Sequence, residues 1–373
     1  MEQDMKSLYI FKHITEKEDF MTKNKMSYRL NFNHLALTLG YKCNFRCRSC
    51  LLGDKLKDGS TEISYENAIK LIDSAAELRT VNVVAFVGGE PFLYYRKMID
   101  IADYLWINYR CGLSISTNGY WATSYQKARE LLTPLYERGL RWMLVSLDDF
   151  HLEFTKLDTI VNCLNAAIDM GIRCSVQSIL ITGSRSTTDF KKLLAEKCDI
   201  ERIASWVDNA CVPVGNAATR ISRKELKLKQ GIPIGGCSIG RALNVQPDGS
   251  VKPCCGAGLM ADALTVGNAY RKSFKEIVNE MESNPITNAI ITWKGPYYLA
   301  ELLKEQGYSK FIKRKFVDSC HACYEILSDR KALEVLQNLL KEDKEIMALL
   351  ASRLISENPE HFLSNQLSGW SQA

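Results

Sequence analysis

Three closely spaced cysteines form the first chemically suggestive feature of the chain. Cys43, Cys47 and Cys50 lie within the segment YKCNFRCRSC. Thiolates bind iron–sulfur clusters, and three thiols from one short loop can hold three irons of a cubane while the fourth iron stays open. The alternative is a structural zinc site, but that normally needs four ligands, and no fourth ligand lies nearby in the sequence. The spacing therefore favours a cluster with one open iron.

A short glycine-rich segment provides the second feature, with Gly88, Gly89, Glu90 and Pro91 in succession. Glycines let the backbone approach a ligand closely, and a carboxylate can accept hydrogen bonds from an ammonium group. The same tetrapeptide is also a common turn sequence. Its position directly after a predicted strand is what favours a binding role.

A second set of cysteines lies in the last third of the chain: Cys237, Cys254, Cys255, Cys320 and Cys323. Four thiols from two distant segments can fully ligate a second cubane, and a zinc ion is the alternative because four cysteines suit it well. Cys254 and Cys255 are adjacent, so that one cluster corner readily uses only one of them. The other thiol is then available for a different role.

The thirteen cysteines of the chain do not form a recognisable disulfide framework. A cytosolic compartment keeps thiols reduced, so metal binding or catalysis is the better interpretation. Four cysteines lie singly in or beside apolar segments and are expected to be small buried hydrophobes without a function: Cys111, Cys163, Cys174 and Cys198. Cys211 remains undecided at this point.

Short β-rich runs alternate with helical patterns from residue 35 onward, which is typical of a parallel sheet wrapped by helices. The predicted strands are 35–41, 82–88, 112–117, 141–147, 172–181 and 203–207. The predicted crossover helices are 65–78, with Ser64 as its N-cap, and 94–109, 124–138, 157–170 and 187–197. Six such units with right-handed crossovers curve into a full or partial barrel whose working end lies at the carboxyl ends of the strands.

The sequence thus predicts an α/β fold: a partial (β/α)6 TIM-like barrel followed by a cysteine-rich auxiliary-cluster domain and terminal helices. After about residue 215 the alternation fades, and segments 272–282 and 331–355 look helical. The expected domains are an N-terminal extension at 1–34, the barrel at 35–215, the auxiliary domain at 216–330 and a helical tail at 331–373.

The CxxxCxxC pattern after the first strand of a partial barrel resembles the signature of the radical S-adenosylmethionine (SAM) superfamily. In that family the open iron binds the amino and carboxylate groups of SAM. An electron from the cluster then cleaves the sulfonium and releases a 5′-deoxyadenosyl radical, which abstracts a hydrogen atom from the substrate. The cofactors supply this chemistry, while the protein orients them.

The resemblance implies roles for further residues. The segment 88–91 matches the family motif that holds the SAM amino group. The segments with Ser116 and Asn118 and with Ser146 and Asp148 resemble family segments that line the SAM site. Gln177 on the fifth predicted strand points to the same pocket if the side chains alternate along that strand. Each of these is also an ordinary residue for a strand end. One departure concerns adenine packing: the family commonly has an aromatic residue before the third cysteine, where this chain has Ser49.

The late cysteines resemble the shortened auxiliary-cluster domain called Twitch, which is related to the longer SPASM domain. This resemblance implies a second 4Fe–4S cluster held by Cys237, Cys254, Cys320 and Cys323. Peptide epimerases of the superfamily use a cysteine thiol to return a hydrogen atom to a Cα radical from the opposite face. Cys255, or alternatively Cys211, is the candidate donor here, although a buried thiol without a role remains the competing interpretation.

The function expected from the resemblance is a radical SAM enzyme acting on a ribosomally made precursor peptide, by epimerisation, cross-linking or oxidation. Two alternatives stay open within the superfamily: a small-molecule alcohol dehydrogenase, or a protein serine or cysteine oxidase of the sulfatase-maturating type. An alternative of another class is a zinc-binding scaffold or nucleic-acid-binding protein that uses the late cysteines and two basic runs, 220–229 and 310–315.

The charge and composition of the chain limit the kinds of partner that it is expected to bind. The formal net charge of +5 is modest for this length, and no stretch interleaves aromatic and basic residues as nucleic-acid-binding motifs do, so nucleic acid is not expected. No run approaches the roughly 20 apolar residues of a membrane span, and the charged start does not resemble a signal peptide. We therefore expect a cytoplasmic enzyme, no membrane contact, and a reductant such as flavodoxin or ferredoxin.

Overall fold

The computed structural model describes residues 30–348, apart from 31, 58–59, 233–236, 238–241, 292–294 and 345. Within this part of the chain, Leu30–Ile346 forms one compact unit. Most of the predicted N-terminal extension and the end of the predicted helical tail lie outside the described residues. No described helix is long and apolar enough to cross a membrane.

Six parallel strands form the centre of the fold, in the order of the chain. They are β1 His34–Thr38, β2 Val83–Val87, β3 Gly112–Thr117, β4 Leu140–Ser146, β5 Arg173–Leu180 and β6 Ser205–Ala210. Each lies within a few residues of a predicted strand. The predicted partial barrel is confirmed, with its strands' carboxyl ends at one edge.

Five helices provide the crossovers between these strands: α1 Tyr65–Ala76, α2 Tyr95–Tyr109, α3 Tyr125–Glu137, α4 Leu157–Asp169 and α5 Thr187–Leu194. Ser64 caps α1 as predicted, because its hydroxyl accepts a hydrogen bond from the amide of Asn67 at 3.1 Å. The last helix ends three residues earlier than predicted, where a turn follows Leu194.

The sheet continues beyond β1 with strands from the late segment, which the sequence alone did not indicate. They are β8 Ala242–Val245, β9 Ser250–Lys252 and β10 Gly267–Asn268, so that the sheet has nine strands in the described part of the chain. β8 runs parallel to β1, with His34 opposite Ala242 and Leu37 opposite Val245. β9 returns antiparallel to β8 and leads to Cys254. The late cysteine segment is therefore built onto the first barrel strand.

The remaining described elements are short strands and helices: β7 Lys229–Gln230, β11 Lys315–Phe316, α6 Asn216–Arg220, α7 Phe274–Ser283, α8 Pro285–Ile291, α9 Gly295–Glu305, α10 Lys310–Lys313, α11 Ser319–Ser328 and α12 Arg330–Glu342. Helices α7 and α12 fall in the segments predicted to be helical. β7 and β11 pair antiparallel in a separate two-stranded sheet. The motif at Cys320 and Cys323 lies at the start of α11.

Among the described residues, two apolar clusters organise the interior. The larger one fills the space between the sheet and its helices, and it includes the buried Cys163, Cys174 and Cys198, as expected for small hydrophobes. Cys111 is half-buried and packs against the same core. The smaller one, here called the apex cluster, includes Phe45, Cys47, Phe150, Cys211 and Val317. It joins the loop after β1 to segments that follow β4 and β6.

Candidate active site

The first three cysteines share one loop at the carboxyl end of β1. Cys47 is buried, whereas Cys43 and Cys50 are half-buried and pack against the apex cluster. Burial, and then the charges of Glu90, Cys50 and Cys47, raise the pKa of Cys43 to about 12. The charges of Cys50 and Cys47 thus act on Cys43, which indicates that the three thiols lie close together. Such a set fits three corners of a cubane, in which bound irons rather than protons compensate the thiolates.

The glycine-rich segment after β2 supports the base of this loop. The amide of Gly89 donates to the carbonyl of Gly40 at 2.9 Å, and the amide of Glu90 donates to the carbonyl of Lys42 at 2.9 Å. A Cβ added at Gly89 would lie only 2.1 Å from the Lys42 carbonyl oxygen. Glycine is therefore required here because the two backbones are in direct contact.

A second support comes from the start of α6, which was not predictable from the residues alone. Asn216 donates its backbone amide to the carbonyl of Cys50 at 2.9 Å and its side-chain amide to the carbonyl of Cys47 at 3.0 Å. The neighbouring Gly215 has φ +62°, and a Cβ there would lie 2.2 Å from the carbonyl oxygen of Leu51. Segments after β2 and after β6 thus hold the cysteine loop from two directions.

Glu90 is almost fully buried and connects the ends of β2 and β3. Its carboxylate accepts hydrogen bonds from the Thr117 hydroxyl at 2.8 Å, the Asn118 amide at 2.8 Å and the Phe92 amide at 3.1 Å. Burial raises the pKa of Glu90 to about 7, although these hydrogen bonds oppose the shift. A buried carboxyl with this titration range is typical of a functional site.

Glu90→Gln is expected to change the pH dependence of thermal stability. Because folding raises the pKa of Glu90 from 4.5 to about 7, the resulting stabilisation is complete below about pH 4.5 and is lost as the pH rises through about 7. Over that range the effect reaches about 3 kcal/mol. The melting temperature of the wild type should therefore fall relative to that of E90Q between about pH 4.5 and 7 and level off above that range, whereas parallel curves would contradict this assignment.

The other predicted SAM-site residues gather on one side of the sheet. Ser146 lies opposite Gln177 across β4 and β5, and both are half-buried. Ser116 lies opposite Leu144, two residues before Ser146, and so occupies the same face. Asn118 is buried above β3, where its side-chain amide donates to the Asn44 side-chain oxygen in the cysteine loop at 3.1 Å. Their binding roles remain predictions.

Asp148 is fully buried, and both of its carboxylate oxygens accept hydrogen bonds from the protein. One accepts from the backbone amide of His151 at 2.9 Å and contacts its Nδ1 at 2.8 Å, and the other accepts from the amide of Ile179 at 3.1 Å. Burial disfavours the imidazolium, but Asp148 and then Cys47 outweigh it and raise the pKa of His151 to about 10. Sequence reasoning missed His151, although its position three residues after Asp148 was a usable signal.

Four of the five late cysteines line a cavity of about 230 Å³. Its lining includes Cys237, Cys254, Cys320 and Cys323, together with apolar side chains and Asn209 from β6. No three His, Cys, Asp or Glu side chains among the described residues converge tightly enough for a single metal ion. A cubane is wider than one ion, and four thiols around an apolar cavity provide a complete ligand set for it.

The two candidate hydrogen donors occupy different surroundings. Cys255 is exposed and does not belong to the cavity lining formed by its four neighbouring cysteines. Nearby protein, and then the charges of Cys254 and Cys237, raise the pKa of Cys255 to about 12. Cys211 is buried in the apex cluster, to which Cys47 also belongs, and burial raises the pKa of Cys211 to about 12. Both thiols therefore keep their S–H hydrogen at neutral pH.

Comparison with protein families identifies two domains in this chain. Residues 37–194 match the radical SAM superfamily, and residues 237–324 match SPASM, an iron–sulfur cluster-binding domain. The first range contains the cysteine loop and the segment 88–91, and the second contains the four cysteines of the late cavity. The domain limits predicted from the sequence remain predictions.

Similar proteins include a putative peptide biosynthesis protein, YydG, from Bacillus subtilis (strain 168). It is 23% identical over 302 residues, covering 78% of this chain and 90% of the relative. A GTP 3′,8-cyclase from Campylobacter fetus subsp. fetus (strain 82-40) is 27% identical over 168 residues, covering 42% of this chain and 49% of the cyclase. This chain thus spans about half the length of that cyclase.

Similar solved structures include Streptococcus suis SuiB. SuiB bound to its precursor peptide SuiA matches with a TM-score of 0.47 and 16% identity, covering 68% of this chain and 65% of that chain. SuiB bound to S-adenosylmethionine matches with a TM-score of 0.49 and 14% identity, covering 72% of this chain and 70% of that chain. Structural similarity at these TM-scores and identities does not indicate a function.

Proposed function

This chain is a radical SAM enzyme with an iron–sulfur cluster-binding domain, and we propose that it modifies a peptide by inverting a Cα centre. Bound SAM and its 4Fe–4S cluster supply a 5′-deoxyadenosyl radical, which removes a hydrogen atom from the substrate. Peptide as the substrate class is supported by the likeness to the YydG protein over most of both chains.

We assign cofactor contacts as follows. Cys43, Cys47 and Cys50 would hold the SAM-binding cluster, and the segment 88–91 would hold the SAM amino group. The half-buried face with Ser116, Ser146 and Gln177, and Asn118 above it, would contact the rest of SAM. Asp148 reaches this region as well, but its two oxygens already accept bonds from His151 and Ile179. The auxiliary cluster would use Cys237, Cys254, Cys320 and Cys323.

The observation that favours epimerisation is the position of Cys255. The thiol stands next to a complete set of four cysteines without belonging to that set. It is exposed, so that a substrate can reach it, and its pKa of about 12 keeps the sulfur protonated. Hydrogen-atom donation requires an intact S–H bond. Cys211 meets the last requirement but is almost completely buried, which makes Cys255 the preferred donor.

In the proposed reaction the substrate Cα–H bond would break, and its hydrogen would be taken up by the 5′-deoxyadenosyl radical that bound SAM would supply, which gives 5′-deoxyadenosine. The Cys255 S–H bond then breaks as a new Cα–H bond forms on the opposite face, which leaves a sulfur radical. One electron and one proton restore the thiol, and a further electron is needed for each SAM cleavage. A low-potential flavodoxin or ferredoxin in the cytoplasm would supply both electrons, and a reducing compartment suits thirteen thiols.

The test is an anaerobic reaction in deuterated water with a candidate precursor peptide. Wild-type enzyme should incorporate one solvent-derived deuterium at each inverted Cα, because the Cys255 thiol exchanges its hydrogen with water. Cys255→Ala should reduce inversion by about 100-fold or more, which is typical of losing a positioned catalytic group. SAM cleavage should continue. Mass spectrometry and chiral amino-acid analysis measure both results.

Cys211→Ala is the matched control and should leave inversion intact. Unchanged inversion in Cys255→Ala, with loss in Cys211→Ala, would move the donor role to Cys211. A product two hydrogens lighter without deuterium would instead support the oxidase or dehydrogenase alternatives, since those reactions need no hydrogen donor.

A further inference from the structure

Two basic runs lie far apart in the sequence, at 220–229 and 310–315, and the structure brings them together. Strand β7 lies at the end of the first run and β11 at the end of the second, and the two strands pair antiparallel with Lys315 opposite Gln230. The Gln230 side-chain amide also donates to the carbonyl of Lys313 at 3.4 Å. The two runs thus form one surface feature, here called the basic ribbon.

The basic side chains of this ribbon face solvent with little compensation by acidic groups. All nine Lys and Arg residues of the two runs are exposed. Glu225, the only acidic residue in the two runs, is half-buried and pairs with Arg48 at 3.6 Å. Lys310 and Arg314 pair with carboxylates outside the runs, whereas the other seven cations form no ion pair with a described residue. The basic ribbon is therefore a strongly positive surface.

The basic ribbon is connected to both sets of cluster cysteines. Leu226 of the first run and Val317, which follows β11, are buried in the apex cluster together with Cys47. Directly after Val317 comes the start of α11, which carries Cys320 and Cys323. The positive surface thus lies on segments that pack against one proposed cluster site and lead into the other.

We propose that the basic ribbon is the docking surface for an acidic electron-carrier protein. One electron passes from the reduced carrier to a cluster, and no bond is made or broken. Because electron transfer between proteins weakens steeply with distance, the carrier must dock beside a cluster. Complementary charge steers such encounters, and electron-transfer complexes use small, weak interfaces.

The same surface is less suited to a substrate peptide. Peptide recognition uses pockets for side chains, and the basic residues of the ribbon do not line the late cavity. The inference rests on the radical SAM part of the proposed function, but not on the substrate or on epimerisation.

The test is the binding of an oxidised acidic flavodoxin to the reconstituted holoenzyme, measured by isothermal titration calorimetry. The ribbon variant combines Lys227→Glu, Lys229→Glu and Lys315→Glu. Its affinity at low ionic strength should fall by at least about tenfold, because complementary charge raises association rates by about 10–1,000-fold. Wild-type affinity should also fall as added salt shortens the screening length from about 30 Å at 0.01 M to about 8 Å at 0.15 M.

The matched control changes the net charge by the same amount at other exposed positions. It combines Lys70→Glu, Lys192→Glu and Lys275→Glu on α1, α5 and α7, where these side chains form no ion pair with a described residue. This variant should bind flavodoxin as the wild type does. Equal weakening in both variants would overturn the proposal, since net charge alone would then explain the binding.

Formation of 5′-deoxyadenosine separates docking from cluster chemistry. With reduced flavodoxin the ribbon variant should be at least about tenfold slower than the wild type. Dithionite needs no docking surface, so it should support equal rates in both, which also shows that the variant is folded and loaded. A wild type that is inactive with dithionite would contradict the proposed function, and the binding measurement would still test the ribbon. Unchanged flavodoxin affinity in the ribbon variant, with lost binding of an acidic peptide or of DNA, would overturn the proposal.

Discussion

Cys50→Ala is expected to lose reductive cleavage of SAM by more than about 100-fold. Loss of a residue that only orients a metal ligand already costs about 10–100-fold in metal affinity or activity, and Cys50 is a proposed direct ligand. The backbone position of Cys50 in the loop is fixed by the hydrogen bond that the Asn216 amide donates to its carbonyl at 2.9 Å. Chromatography of 5′-deoxyadenosine after reduction with dithionite measures the loss.

Two other cysteine variants provide the comparison. Cys323→Ala removes a proposed auxiliary ligand and should lower the iron content while SAM cleavage continues. Cys111→Ala removes a half-buried thiol far along the chain from both motifs, and it should keep wild-type iron and activity. If Cys50→Ala still forms 5′-deoxyadenosine at the wild-type rate, the assignment of the first cluster is wrong.

Gly89→Ala is expected to be nearly as damaging, although it removes no ligand. The added Cβ would lie 2.1 Å from the Lys42 carbonyl oxygen, whereas ordinary contacts begin near 3.4 Å. The cysteine loop must therefore move by about 1 Å, and a displacement of that size can reduce an enzymatic rate about 100-fold. The bond from Gly89 to the carbonyl of Gly40 would be strained as well.

Iron content and 5′-deoxyadenosine formation measure the effect of Gly89→Ala. The control is Gly183→Ala, at a position with φ +81° and no atom within 4 Å of an added Cβ. That variant carries backbone strain of about 1–2 kcal/mol without a clash. Equal activity of the two variants would contradict the role of Gly89 in positioning the loop.

The barrel was predictable because its signals are local. Buried parallel strands are apolar throughout, crossover helices carry one apolar face, and caps such as Ser64 mark where helices begin. The addition of β8 to β1 was not predictable in this way. It pairs His34 with Ala242, more than 200 residues later, and neither strand's pattern specifies its partner. The helices between 285 and 328 were also not predicted.

The candidate site likewise has features that local sequence predicts and features that depend on distant segments. The cysteine spacing and the segment 88–91 were visible because ligand type and local spacing carry the chemistry. The two hydrogen bonds that Asn216 donates to the cysteine loop join residues from two segments far apart in the sequence. Glu90 was identified, but its contacts with Thr117 and Asn118 emerged only from the structure.

By itself, the sequence determined that this chain has a partial barrel, a three-cysteine loop whose spacing suits a cluster with one open iron, and a second set of cysteines, because these follow from short-range periodicity and spacing. Only the tertiary structure decided how the loop is held, that four late cysteines surround one cavity, and that Cys255 stands outside it. Those features arise where chain segments far apart in sequence meet at the ends of strands. Their geometry depends on packing, which local residue patterns do not encode.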